Sequence, residues 1–183
     1  MRGPCVADDR ELWERIRSRD ENAFAAFYRG NAARLCGYLR QIVGNSQAAE
    51  DLTQEIFAQM WRSPNGFQPE RGSLGSYLFG MGRKRASEWW RKQQLDWRVR
   101  SEQQEASSPP SASTASAVGD ARARLPEEQR SLLWLREVEG QSYAELAEIL
   151  DIPVGTVKSR LFAAREALRR IWQAAVPQKR EGQ

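Results

Sequence analysis

The sequence contains no histidine and only two cysteines, Cys5 and Cys36, which do not share a CxxC spacing. This excludes Cys/His zinc fingers, imidazole-ligated metals and any catalytic triad or general base built on histidine. Both thiols are read as reduced, and as buried or idle. A Walker-type glycine loop, a nucleophile paired with a base and a paired-carboxylate metal site are missing too, so neither enzymatic activity nor a cofactor or metal is expected. No apolar run is long enough to span a bilayer, and Met1 to Arg19 is charged throughout rather than signal-like. A cytoplasmic protein without membrane insertion is the expectation. No segment alternates with the period of a β-strand, which leaves an all-α fold.

What is present is a chain of 183 residues with 40% hydrophobic content, enough for one ordinary domain or two small ones. The formal charge of +4 is small, with 28 Lys and Arg against 24 Asp and Glu, but it is unevenly placed. Between Gln103 and Asp120 the composition turns to Ser, Ala and Pro around Ser107-Ser108-Pro109-Pro110-Ser111. A stretch without apolar periodicity cannot offset its ordering entropy by burial, so residues 99–120 are read as a flexible linker. It separates an N-terminal module, residues 8–98, from a C-terminal module, residues 121–175, that is followed by a basic tail at 176–183.

The C-terminal module carries the clearest local pattern. Ser142 to Leu150 and Val154 to Arg170 read as two helices joined by the tight turn Asp151-Ile152-Pro153, a helix-turn-helix. Ser142 followed by Glu145 forms a capping box that starts the first helix. Leu146, Ala147 and Leu150 make its inward stripe, and Val157, Leu161, Ala164 and Leu168 make that of the second. Ser159 and Phe162 then point away from the core with Lys158 on the flank, where a recognition helix meets base edges. A short amphipathic hairpin with a solvated basic face is the plainer alternative, and the cap, the tight turn and Gly155-Thr156 at the second helix start argue against it.

The N-terminal module reads as helical throughout. Ala23, Phe24, Phe27, Leu35, Leu39 and Ile42 fit one or two amphipathic helices ending near Gly44-Asn45-Ser46. A helix over 48–62 buries Leu52, Ile56, Phe57 and Met60 and turns Glu50, Asp51, Gln54 and Glu55 outward, giving an acidic face. After the breakers Pro64-Asn65-Gly66 and Pro69-Glu70-Arg71-Gly72, Ser73 can cap a further helix that runs to about Arg98. From Arg83 to Arg100 this helix holds seven cations against two carboxylates, interleaved with Trp89, Trp90 and Trp97. Cations neutralise phosphates and indoles stack on unpaired bases at about 1–3 kcal/mol each, a mixture that suits single-stranded or melted DNA. Adjacent Trp89 and Trp90 cannot both face one way, so at least one is expected to pack.

These segments together resemble a known family. Glu50-Asp51-Leu52-Thr53-Gln54-Glu55-Ile56-Phe57, Trp61, Phe67-Gln68-Pro69-Glu70-Arg71-Gly72-Ser73 and Tyr77-Leu78 are similar to region 2 of bacterial RNA polymerase sigma factors. Leu125-Pro126-Glu127-Glu128-Gln129-Arg130, Tyr143-Ala144-Glu145-Leu146-Ala147 and Val154 to Leu161 resemble their region 4. Regions 2 and 4 alone, joined by a short linker, match the extracytoplasmic-function (ECF) group of the sigma-70 family.

The resemblance implies two small helical domains and a promoter-specificity subunit that binds core RNA polymerase. It assigns Asp51, Gln54 and Glu55 to the clamp helices of the largest polymerase subunit, and region 4 to the flap of the second-largest. Arg83, Lys84, Arg85, Trp89 and Arg91 become candidates for reading and melting the −10 element, and Thr156, Lys158, Ser159, Arg160, Phe162 and Arg165 for duplex contacts at the −35 element. Arg160 and Arg165 suit phosphates or helix packing better than base edges. A cognate anti-sigma factor is a further partner the resemblance admits.

Lys84 departs from the family pattern, which commonly has asparagine there, as do Ala163, where relatives often carry a cation, and Gly80 and Gly82 inside a helix. A conventional DNA-binding activator would explain the helix-turn-helix but leave the acidic motif and the tryptophan-rich helix without a role. A nucleic-acid enzyme lacks a recognisable site.

Overall fold

The computed structural model describes residues 6–101 and 124–175. Cys5, most of the expected linker and the basic tail lie outside the described residues. Within them the chain forms α1 (Val6–Arg17), α2 (Glu21–Val43), α3 (Ser46–Arg62), α4 (Leu74–Ser101), α5 (Glu127–Glu137), α6 (Tyr143–Leu150) and α7 (Val154–Ala175). No strand occurs among the described residues. Helix α2 is one element, and α4 extends slightly past its expected end.

Short polar signals start and stop these helices. The Asp20 side chain accepts from the Ala23 N–H to cap α2, and Gly44 ends it in the left-handed region at φ 68°. Asn45 then caps α3 through the Ala48 N–H at 2.9 Å. Ser73 caps α4, its Oγ accepting from the Ser76 N–H at 3.0 Å, while the buried Asp9 carboxylate of α1 accepts from the Leu74 N–H at 2.8 Å. Each such cap contributes roughly 1 kcal/mol. The Ser142–Glu145 capping box is formed in both directions, at 3.1 and 2.7 Å.

The helix-turn-helix turn requires Asp151 to adopt φ 54°, ψ 49°. Asp tolerates this conformation, whereas a β-branched side chain clashes with its own backbone there. Asp151→Val is therefore expected to lower stability by about 1–2 kcal/mol in urea unfolding, with Asp151→Gly at least as stable as the native chain.

Helix α2 is the hub. It packs against α1, α3, α4 and α5, with Leu35, Tyr38, Leu39 and Ile42 fully buried. Helix α4 approaches it so closely at Gly82 that an added Cβ would come within 2.8 Å of Leu35 Cδ1. The glycine departure at 82 thus has a packing cause. At the other end Trp13 meets Phe67 and Tyr77 edge-on, with centroids 5.4 and 6.1 Å apart.

The two modules do not stand apart. Helix α4 packs on α6 and α2 packs on α5, so one continuous hydrophobic core serves both. At the α2–α5 contact the Tyr38 hydroxyl meets Ser131 Oγ at 2.8 Å, both buried, and burial raises the phenol pKa well above its ordinary value. Beside it Arg34 pairs with Glu139 at 2.9 Å, and Trp134 Nε1 donates to the same carboxylate at 3.2 Å.

Candidate nucleic-acid interface

Helix α7 buries Val157, Leu161 and Ala164 against α5 and α6 and half-buries Leu168. The 3.6-residue period then turns Lys158, Ser159 and Phe162 outward, and all three are exposed, Phe162 at 69%. At that exposure the Phe162 ring lies outside the core. Thr156 is half-buried at the first turn, where its carbonyl accepts from Ser159 Oγ at 3.0 Å. Lys158 Nζ lies 6.0 Å from the Tyr143 ring centre. The two flanking arginines are tied to α5: Arg160 to Glu128 at 3.6 Å, and Arg165 to Glu137 through Nη2 at 2.6 Å and Nε at 3.2 Å. Ala163 is exposed beside a cavity of about 220 Å³ that Arg83, Glu127 and Arg160 also line.

Helix α4 divides its cations between two sides. Arg83 faces that smaller cavity, where burial raises the Glu127 carboxyl pKa against the opposing pull of Arg83 and Arg130. Lys84 and Arg85 line a larger cavity, about 630 Å³, together with Tyr77, Gly80, Met81 and the loop from Gly66 to Ser73. Nothing stands within 4 Å of a Cβ added at Gly80, so its departure widens this cavity rather than serving helix packing. Arg85 is oriented by Glu88 at 3.0 Å and by Gln59 at 2.6 Å.

Both tryptophans of the pair are half-buried and pack against the core, and Trp90 also donates Nε1–H to the Ile42 carbonyl at 3.2 Å. Trp89 stands edge-on to it at 5.1 Å, half-buried, and Arg91 is exposed. The side chains of Trp97, Arg98 and Arg100 lie outside the described residues. Of the five candidates on α4, the structure brings Lys84 and Arg85 together and leaves Arg83, Trp89 and Arg91 elsewhere. Gln59, Ser76 and Met81, which are not site candidates in the sequence, complete the larger cavity together with Arg71 of the region 2-like motif. Their signal was the breaker-rich loop lying directly before a cationic helix.

On α3, Leu52, Ile56 and Met60 are buried, and Asp51, Gln54 and Glu55 form an exposed edge. Gln47 donates to Asp51 Oδ1 at 3.0 Å, fixing one carboxylate at the start of that edge. Among the described residues, no group of acidic or cysteine side chains could hold a metal ion, and no helix is long and apolar enough to cross a membrane.

A profile of sigma-70 region 2 matches residues 27–95, and one of sigma-70 region 4 matches residues 116–168. The chain is 32% identical over 157 residues to an ECF RNA polymerase sigma factor, RpoE, of Cereibacter sphaeroides, covering 82% of this chain and 87% of the relative. It is 32% identical over 178 residues to the ECF RNA polymerase sigma factor SigK of Mycolicibacterium vanbaalenii, covering 87% and 86%. Two solved structures share the fold. CnrH, solved in complex with the cytosolic domain of CnrY, superposes with a TM-score of 0.70 at 21% identity, covering 91% of this chain and 97% of that one. The sigma factor RpoE of Bartonella quintana, solved with the anti-sigma factor NepR, gives 0.68 at 23% identity, covering 82% and 96%.

Proposed function

The chain belongs to the ECF group of sigma-70 factors and is a promoter-recognition subunit of RNA polymerase, and from that premise we propose how its surfaces divide the task. Residues 8–98 act as region 2 and residues 121–175 as region 4, with 99–120 a linker and 176–183 a basic tail. The exposed acidic edge Asp51, Gln54 and Glu55 docks on the clamp helices of the largest polymerase subunit, and region 4 docks on the flap of the second-largest. Lys158, Ser159 and Phe162 reach base edges of the −35 duplex from the outer face of α7. Thr156, Arg160 and Arg165 meet its backbone, the arginines exchanging Glu128 and Glu137 for phosphates. Phosphate contacts set register, and base-edge contacts set sequence.

On α4, Lys84 and Arg85 hold the melted non-template strand at the larger cavity, which receives an unstacked base, while Arg83, Trp89 and Arg91 extend the contact along the helix. The protein acts in the cytoplasm and breaks no bond. A cognate anti-sigma factor is a further partner, in keeping with the NepR complex of the Bartonella relative.

The observation that carries this reading is α7, whose buried stripe leaves Lys158, Ser159 and the 69%-exposed Phe162 on its outer face, outside the core. Permanganate footprinting tests the melting role. Core polymerase with this chain should make thymines of the −10 element reactive at a promoter it activates, and Lys84→Ala with Arg85→Ala should suppress that reactivity while transcript-independent core binding persists. Unchanged reactivity in the double variant would overturn the assignment.

A further inference from the structure

The loop between α3 and α4, residues 63–73, supplies one wall of the larger cavity through Gly66, Phe67, Gln68 and Arg71 to Ser73. Among the described residues its backbone makes one hydrogen bond within the loop, from the Arg71 N–H to the Gln68 carbonyl at 2.9 Å. A single bond does not offset the ordering entropy of a loop of that length, so its shape depends on what holds it from outside. Helix α1 holds it at three points. At the exit, the buried Asp9 carboxylate takes the Leu74 N–H, one of the donors that the first turn of α4 leaves without a helical partner. In the middle, Trp13 lies edge-on to Phe67 and Tyr77, which tilt against each other with centroids 5.7 Å apart, and the Tyr77 hydroxyl fills the place a Cβ at Gly66 would need. At the entry, Arg19 donates from Nη1 to the Trp61 carbonyl and from Nη2 to the Arg62 carbonyl at 3.3 Å, its guanidinium 5.2 Å from the centre of the Trp61 ring. A cation on the last carbonyls of α3 also suits the negative end of that helix.

Arg19 is the informative member. Helix α1 ends with the Asp20 N–H on the Arg15 carbonyl and the Arg19 N–H on the Ile16 carbonyl, each at 3.0 Å, a closing pattern whose left-handed residue is usually glycine. Here that residue is Arg19, at φ 68°. A side chain in this conformation costs backbone free energy that glycine would avoid, and this one directs its hydrogen bonds to α3 rather than to α1.

We propose that α1 is a positioning element for base capture at the −10 element: Asp9, Trp13 and Arg19 hold the α3–α4 loop at its exit, middle and entry, and so set the shape of the cavity wall that an unstacked base meets. The inference rests on the strand-holding reading of that cavity. None of the three residues lines the cavity, so they act through the loop.

The test uses holoenzyme assembled from core polymerase and the full chain, on a promoter fragment that the native chain transcribes and on copies carrying each single-base substitution in its −10 and −35 elements. Arg19→Gly removes the brace while relaxing the backbone, so helicity and urea midpoint should stay at native values. Discrimination between native and substituted bases at the −10 element should fall about tenfold, because a site is only as exact as the shell that supports it. Discrimination at the −35 element and competition for core enzyme should be unchanged. Asp9→Ala should give the same loss, and Asp9→Asn, whose amide oxygen can still accept from the Leu74 N–H, should restore most of it.

Native −10 discrimination in both Arg19→Gly and Asp9→Ala overturns the brace, and a melting defect of Lys84→Ala with Arg85→Ala in the same assay would leave the strand-holding reading standing. Native melting in that double variant overturns the strand-holding reading itself and the brace with it. An equal loss at the −10 and −35 elements in Arg19→Gly shows a merely structural role and overturns the proposal. Should Asp9→Ala lose its helicity, Arg19→Gly decides alone.

Discussion

Asp51→Arg combined with Glu55→Arg is expected to abolish stable association with core polymerase. Both side chains are exposed, on the side of α3 opposite the buried Leu52, Ile56 and Met60, so the exchange costs the fold little. At an interface that receives an acidic edge, each reversal turns an attraction into a like-charge contact costing several kcal/mol, and the pair should lower affinity by about a hundredfold or more. Competition against another sigma factor for limiting core enzyme measures this directly. Binding within about threefold of the native chain would remove α3 from the polymerase interface. Helicity and urea midpoint should be unchanged, which separates a lost contact from a lost fold.

Removal of the outward side chains of α7 gives the second large effect. Lys158→Ala, Ser159→Ala and Phe162→Ala together should weaken −35-dependent transcription by about a hundredfold, since each good base-edge contact carries about 1–3 kcal/mol and these three rest on no buried partner. Core binding should persist. The arginine pair should behave differently. Arg160 and Arg165 are held by Glu128 and Glu137, so their transfer to phosphate exchanges one anionic oxygen partner for another. Arg160→Ala with Arg165→Ala should lower affinity uniformly across promoter sequences and reduce the salt slope by about one per phosphate contact, leaving the sequence preference intact. A changed preference in the arginine variant would mean that these side chains reach bases.

Local signals made much of the fold legible in advance. The capping box at Ser142, the breaker at Gly44-Asn45, the Ser73 cap and the buried stripes of α3 and α7 each depend on residues within one or two helical turns, and all are present in the structure. The closure of the two modules was not legible. Its contacts join Tyr38 to Ser131 and Arg34 to Glu139 across the Ser/Pro/Ala-rich stretch, and no periodicity links positions so distant. Gly82 illustrates the same limit, because in sequence it is only a poor helix former, and its use appears once Leu35 and Tyr38 face it.

The candidate site divided in a similar way. Charge and aromatic content mark α4, and the helix-turn-helix pattern marks α7, as the candidate nucleic-acid elements, whereas side-chain direction depends on tertiary packing. Arg83 therefore turns toward Glu127, Trp90 packs on Ile42, and Lys84 and Arg85 share a cavity whose wall comes from the loop between α3 and α4.

The most direct measurement is the mapping of transcript starts made in vitro by core polymerase with this chain on fragmented genomic DNA of the source organism. The account predicts starts absent with core alone, preceded by two shared sequence elements at a constant separation, with the upstream element lost for the α7 triple variant. Starts that are no different from those of core enzyme alone would contradict it.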